Sequence, residues 1–161
     1  MLNLTRKSDY ALVALSYLGK LRDESAGPVS ANAIAEQFGL PKALLMNILK
    51  ELAHAKLVNS TRGAHGGYEL AVDPESVSLL EVVTIIEGPM QLTDCSEGLP
   101  IVGQGCTLAE GCPIRGPIRQ LHERINRFLE EVTLADLLSR PVDVTCDKVA
   151  AGKPESALTA E

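Results

Sequence analysis

The chain has 161 residues, 45% of them hydrophobic, which is enough for one compact domain with an extension. No stretch approaches the roughly eighteen consecutive apolar residues of a membrane span, and the charges of Arg6, Lys7 and Asp9 are unlike a secretory signal peptide. We therefore expect a cytoplasmic protein without membrane attachment. In that reducing compartment, four cysteines favour metal or redox chemistry over structural disulfides.

The net charge of -6 is unevenly distributed along the chain. Residues 1–70 contain eight Lys and Arg against six Asp and Glu, whereas residues 71–161 contain seven against fifteen. The acidic surplus belongs to the second part of the chain, and the first part is mildly basic. That first part is therefore compatible with binding to the phosphates of a nucleic acid.

Three helices are predicted near the start of the chain. Apolar residues recur at helical spacing over residues 5–21. After a loop over residues 23–30, a short helix is predicted between a cap at Ser30 and a stop at Gly39. A proline in the first turn then begins a helix over residues 41–55. The last two helices and their short turn form a helix-turn-helix pattern.

The second helix of this pattern has one apolar and one polar face. The apolar face is predicted to pack into the core and comprises Leu45, Ile48, Leu49 and Leu52. The other face is free to enter a DNA major groove. Its residues are Lys42, Ala43, Met46, Asn47 and Lys50.

Two short strands around a glycine-rich turn are predicted over residues 57–62 and 68–72. A hairpin in this position is typical of the wing of a winged helix-turn-helix domain. Arg62 and His65 at its tip are placed to reach a minor groove, and Gly66 would allow close approach of the backbone. The alternative is a hairpin with ordinary turn glycines.

A long amphipathic helix is predicted beyond Pro117, after a shorter helix that ends at Gly88. A second copy of the chain is the simplest partner for its apolar stripe, giving a twofold dimer, although the stripe can also pack on its own domain. His122 on this helix is predicted to lie at the surface. The stripe is spaced like a coiled-coil seam and comprises Ile118, Leu121, Ile125, Phe128 and Val132.

These elements predict a fold that is mainly α with a small β-hairpin. They also divide the chain into three predicted segments. Residues 1–75 form a winged helix-turn-helix domain, and residues 76–140 contain a cysteine loop and a dimerisation helix. Residues 141–161 are rich in Pro, Gly, Lys, Glu, Ser and Ala, a composition that predicts a disordered tail. Cys146 in this tail is interpreted as a bystander thiol.

Cys95, Cys106 and Cys112 lie in a glycine-rich stretch just before the long helix. Thiolates are preferred ligands of iron and zinc, and three in one loop can converge on a single centre. Structural zinc is the second interpretation, although zinc sites usually contain cysteines about two to four residues apart, and no such pair occurs here. Free thiols are the third interpretation.

Four motifs, over residues 4–12, 62–68, 87–89 and 132–137, resemble those of the Rrf-type winged-helix regulators. That family includes the IscR, NsrR and SUF-system regulators, and the resemblance covers about residues 1–140. Its sensory members carry an iron–sulfur cluster on three cysteines of this loop and are dimers joined through the long C-terminal helix. The resemblance therefore implies a metal-sensing regulator of genes.

By this resemblance, Cys95, Cys106 and Cys112 would hold a 2Fe-2S or 4Fe-4S cluster. Some relatives use a histidine three residues after the last cysteine, where this chain has Arg115, which cannot be a ligand. Relatives that sense nitric oxide resemble this chain in having an acidic residue in the first helix, and Asp9 falls at that position. Asp9 is the tentative fourth ligand. The alternative is that it caps or salt-bridges the first helix.

The expected function is that of a homodimeric, redox-sensing transcriptional regulator that binds double-stranded promoter DNA. The leading hypothesis is a repressor of iron–sulfur assembly genes whose DNA affinity depends on the cluster. The alternatives are a nitric-oxide-sensing repressor of the same family and a cluster-free thiol or zinc sensor in sulfur metabolism. We expect no enzyme, because His54, His65 and His122 lie in separate elements without nucleophile-base spacing.

Overall fold

The computed structural model describes residues 4–63, 66–90, 92 and 112–139. This part of the chain is mainly helical with one two-stranded hairpin, which confirms the predicted fold class. None of its helices is both long enough and apolar enough to span a membrane. The elements, in chain order, are α1 (Arg6–Asp23), α2 (Ala31–Phe38), α3 (Lys42–His54), β1 (Val58–Thr61), β2 (Gly67–Leu70), a 3-10 turn (Pro74–Ser76), α4 (Leu79–Glu87), α5 (Arg115–Glu131) and α6 (Leu134–Ser139).

The helix-turn-helix forms where local sequence signals predict it. The hydroxyl of Ser30 accepts a hydrogen bond from the backbone N–H of Ala33 at 3.1 Å and so begins α2. Gly39 ends α2 in the left-handed conformation, with a φ of 63°, which favours glycine. Pro41 then immediately precedes α3. Each helix end thus has a cause in the adjacent residues.

α1 lies at the centre of the fold and contacts α3, α4, α6 and β2. The predicted apolar face of α3 packs into this core, because Leu45, Ile48, Leu49 and Leu52 are all fully buried. Full burial of an aliphatic side chain contributes about 1.5–3 kcal/mol. This packing fixes the rotation of α3 about its axis, so its polar face points outward.

The wing contains more pairing than the sequence predicted. β1 and β2 are antiparallel, with Val58 opposite Leu70. Val29, in the predicted loop, forms an additional bridge to Tyr68, with N···O distances of 3.0 and 2.8 Å. The backbones approach closely because Gly67 has no side chain; a Cβ there would lie 2.5 Å from the carbonyl carbon of Val29.

The long helix differs from its prediction in two respects. It begins at Arg115, two residues before Pro117, because proline is tolerated in the first turn of a helix. His122, predicted at the surface, is 9% exposed, so that prediction was wrong. α5 contacts α4, and the sequence alone does not show which face of α5 is covered. The His122 Nε2 lies 3.0 Å from the Asn126 side-chain nitrogen, one turn further along.

The short helix α6 was not predicted, although its start carries a capping signal. The Asp136 carboxylate accepts hydrogen bonds from the backbone N–H and the hydroxyl of Thr133, each at 2.8 Å. The backbone N–H of Asp136 donates to the same hydroxyl at 3.2 Å. These reciprocal bonds form a capping box, and they lower the pKa of Asp136 below its ordinary value.

Candidate nucleic-acid interface and cysteine site

The outward face of α3 carries the residues predicted to read DNA. Lys42, Ala43, Asn47 and Lys50 are exposed, and Met46 is half-buried at the edge of the core. Within the described part of the chain, Lys42, Asn47 and Lys50 have no side-chain hydrogen bond or ion pair. Their ammonium and amide groups are therefore available to phosphates or base edges.

The wing places Arg62 directly after β1, where it is exposed and has no hydrogen bond or ion pair to any described residue. Gly66 donates its backbone N–H to the carbonyl of Gly63 at 3.0 Å. A Cβ at Gly66 would lie 2.8 Å from the carbonyl carbon of Arg62, so the turn itself requires glycine there. His65 lies outside the described residues.

Cys112 is the proposed ligand that the described residues include. It is half-exposed, forms no disulfide, and lies three residues before the start of α5. Cys95, Cys106 and Cys146 lie outside the described residues, as does the predicted tail. Among the residues that are described, no three His, Cys, Asp or Glu side chains come together as a metal site. The donor set itself fits iron, since thiolate sulfur and carboxylate oxygen are both iron ligands.

Asp9 lies in the first turn of α1 with its side chain exposed. The cap of α1 is Thr5, whose hydroxyl accepts a hydrogen bond from the backbone N–H of Lys7 at 3.2 Å. No described residue forms a side-chain hydrogen bond or ion pair with Asp9. Its carboxylate is thus available to bind a group outside its own helix.

A polar joint connects the first turn of α1 to the last turn of α4. The Glu87 Oε1 accepts hydrogen bonds from the backbone N–H of Thr5 at 2.9 Å, from the Thr5 hydroxyl at 3.0 Å, and from the hydroxyl of Ser8. Burial raises the pKa of Glu87, but these hydrogen bonds and the charge of Lys7 outweigh it, and the pKa lies below its ordinary value.

Lys7 extends this joint to α3. Its Nζ lies 2.7 and 2.9 Å from the two carboxylate oxygens of Glu51 and donates to the carbonyl of Ile86 at 3.2 Å. Sequence reasoning missed these contacts, because the partners of Lys7 are 44 and 79 residues away along the chain. The local signal was the acidic residue that ends α4 next to Gly88.

The apolar stripe of α5 has a half-buried side and an exposed side. Ile118, Ile125 and Val132 are half-buried, on the side that packs toward the protomer. Leu121 and Phe128 remain 47% and 60% exposed. With Ile114, which is 58% exposed, they recur every seven residues and form one line along the helix. Both predicted roles of the stripe are compatible with this arrangement.

Comparison with known proteins agrees with this architecture. Residues 4–140 match the Rrf2 family, described as an iron-dependent transcriptional regulator. A Synechocystis protein named as an HTH-type transcriptional regulator is 37% identical over 136 residues, covering 84% of this chain and 87% of that protein. IscR of Escherichia coli K12, also named as an HTH-type transcriptional regulator, is 31% identical over 139 residues, covering 86% and 81%.

Two solved structures share the fold and have similar sequence identities to this chain. The structure of CymR, the global cysteine regulator of B. subtilis, is 29% identical with a TM-score of 0.66, covering 86% of this chain and 98% of that one. T. potens IscR is 28% identical with a TM-score of 0.62, covering 85% and 86%. The named relatives are regulators of transcription rather than enzymes. The resemblance in the sequence is thus confirmed, and the chain belongs to the Rrf2 family of DNA-binding transcriptional regulators.

Proposed function

We propose that this protein is a homodimeric regulator that represses iron–sulfur assembly genes and responds to an iron–sulfur cluster. The observation that carries the proposal is the position of Cys95, Cys106 and Cys112, between the winged helix-turn-helix and α5, in a chain similar to IscR. When bound, such a cluster supplies a centre that is sensitive to oxygen, nitric oxide and iron supply.

The three cysteine thiolates would hold the cluster, with Asp9 of the partner subunit as fourth ligand. A carboxylate is a weaker ligand for iron than a thiolate, so it exchanges more readily. The exposure of Asp9 and its lack of a partner among the described residues support this role. They also support the nitric-oxide-sensing alternative, because relatives of that type have the same acidic position.

DNA binding would use the outward face of α3 together with the wing. Lys42, Asn47 and Lys50 are placed for contacts in the major groove and to its phosphates, with Ala43 and Met46 beside them. The wing would add Arg62, His65 and Gly66, with the Arg62 guanidinium entering a minor groove. A regulator of this type fits a double-stranded promoter site.

The homodimer would form through α5. Large apolar side chains exposed in one continuous line are rare on a monomer and mark an interaction surface. The seven-residue spacing of Ile114, Leu121 and Phe128 is the spacing of a helix-helix seam, so a second copy of α5 is a matching partner. The resulting twofold symmetry would suit a palindromic promoter site.

A cluster-free thiol sensor is the second candidate function. It is favoured by the similarity to CymR, which is described as a cysteine regulator and matches this chain as well as T. potens IscR does. In that case Cys112 would act as a reactive thiol, in keeping with its partial exposure and the absence of a disulfide. Iron content distinguishes the two candidates.

Single cysteine substitutions test the ligand assignment. We expect Cys95→Ala, Cys106→Ala or Cys112→Ala to abolish the visible iron chromophore of protein purified without oxygen, because each removes one thiolate ligand. Promoter affinity should then change together with the chromophore. Cys146→Ala is the matched control and should leave both unchanged. Equal losses in all four variants would contradict the assignment.

A further inference from the structure

The contact between the start of α1 and the end of α4 is reciprocal. Glu87 places a carboxylate at the N-terminus of α1, where the helix dipole favours negative charge. In return, Lys7 of α1 donates to the carbonyl of Ile86, one of the last carbonyls of a helix, which have no partner within it. Each helix thus supplies the group that the end of the other lacks.

The same lysine connects this joint to the DNA-reading helix. Its single ammonium contacts the carboxylate of Glu51 on α3 and the carbonyl of Ile86 on α4 at the same time. The side chains of Lys7 and Glu51 are only 33% and 39% exposed, so solvent screens the pair less than a surface ion pair. Lys50, the residue before Glu51, lies on the exposed face of α3.

The joint stands where the chain leaves α4 toward the cysteines. Gly88 ends α4 with a φ of 86° and a ψ of -178°, a conformation that residues with side chains rarely adopt. Cys95 follows seven residues later. The carbonyl of Ile86 and the carboxylate of Glu87 therefore lie within two residues of the point where α4 ends.

We infer that Glu87 and Lys7 form a latch that couples the end of α4, at Gly88, to the DNA-reading helix α3. With the latch closed, the end of α4, the first turn of α1 and α3 move together. With the latch broken, only the apolar packing between the helices connects the end of α4 to α3, and the coupling is weaker. The inference rests on the proposed function only in that it takes the cysteine segment as the sensor.

The latch is tested by perturbing one side and measuring the other. Gly88→Ala forces a side chain into the conformation at the end of α4 and does so with or without a metal. Lys7→Met removes the ammonium but keeps a side chain of similar length. Hydrogen exchange is measured on the full-length protein, at the amides of residues 51–54 in α3 and, as an internal reference, in α2.

In the otherwise unchanged protein, we expect Gly88→Ala to speed exchange at residues 51–54 about tenfold, the effect of a coupling of about 1.4 kcal/mol. In the Lys7→Met background, the same substitution should change exchange there less than about twofold. Glu81→Ala is the control background and should retain the full effect. Glu81 is exposed on the same helix, and its side chain forms no hydrogen bond or ion pair with a described residue. Exchange in α2 should not respond to any of these changes.

Two results would overturn the latch: the effect of Gly88→Ala on α3 persists undiminished with Lys7→Met, or it is absent in the otherwise unchanged protein. Should Lys7→Met fail to fold, Glu87→Gln and Glu51→Gln replace it, since each weakens one side of the latch. The proposed function is judged separately, by iron and sulfide on the same samples. If a protein without iron shows the coupling, the result supports the latch and contradicts the proposed cluster.

Discussion

At the scale of single residues, two glycines shape the wing, and one carboxylate connects the end of α4 to the start of α1. Gly67 lets the backbone of Val29 pair with the wing, and Gly66 lets the hairpin turn close. The carboxylate of Glu87 accepts hydrogen bonds from three donors at the start of α1. These residues fall in motifs that the sequence shows, at residues 62–68 and 87–89, but their contacts could not be predicted from their neighbours. Each contact depends on a segment that is distant in the chain or on the path of the turn.

Gly67→Ala should destabilise the protein by about 1–3 kcal/mol, because a Cβ there meets backbone atoms of Val29, which cannot rotate away. Urea unfolding measures the loss. Gly27→Ala is the matched control, since a Cβ at Gly27 meets nothing within 4 Å, and it should be neutral within about 0.5 kcal/mol. Equal losses in both variants would mean that the close approach is not what requires glycine.

Glu87→Gln should destabilise the protein most at neutral pH. The pKa of Glu87 in the fold lies below its ordinary value of 4.5, so its carboxylate contributes stability above that value. The contribution disappears as the pH falls through the lowered pKa. The difference in unfolding free energy between the native protein and Glu87→Gln should therefore shrink on acidification. A pH-independent difference, or the same trend in Glu81→Gln, would argue against this role.

At the scale of elements, the sequence was most informative where helix ends have local causes. Ser30, Gly39 and Pro41 place α2 and α3 correctly, and the spacing of apolar residues identifies the buried face of α3. The burial of His122 and the bridge from Val29 to the wing were missed, because both depend on which element packs nearby. The missed helix α6 did have a readable signal, the Thr133 and Asp136 capping box.

The wing is the element whose contribution to DNA binding is simplest to isolate. Arg62→Ala should weaken promoter binding about tenfold, because one cationic contact is lost. The slope of log affinity against log salt concentration should become shallower by about one. Fluorescence anisotropy at several salt concentrations measures both quantities. The iron chromophore should not change. Arg124→Ala on the exposed side of α5 serves as the control. Unchanged affinity in Arg62→Ala would contradict the proposed role of the wing.

At the scale of the whole molecule, the chain leaves a line of apolar side chains on α5 exposed, and α1, α3 and α4 share the polar joint formed by Lys7, Glu51 and Glu87. The coarse architecture and family could be predicted from the sequence, since both depend on local motifs. The proposed ligand set, dimer and path of coupling depend on contacts between distant segments or between two copies. Spacing alone could not predict those contacts.

Phe128→Asp should dissociate the proposed dimer. Burying one phenylalanine contributes about 1.5–3 kcal/mol, and a twofold interface loses this contribution twice, so the dissociation constant should rise at least about a hundredfold. Sedimentation equilibrium measures it. Phe128 is 60% exposed in the protomer, so the protomer itself should remain folded. Glu130→Ala, an exposed position on the same helix, should not alter assembly. An unchanged dissociation constant would place the interface elsewhere.

The proposed regulation depends on an iron–sulfur cluster held by the cysteines before α5. The most direct measurement is an anaerobic visible absorption spectrum of freshly purified protein, with iron and acid-labile sulfide assayed on the same sample. We expect a brown protein that contains both elements. A colourless protein that also fails to bind iron and sulfide on reconstitution would contradict the claim, and would leave a DNA-binding regulator whose cysteines serve thiol or zinc chemistry.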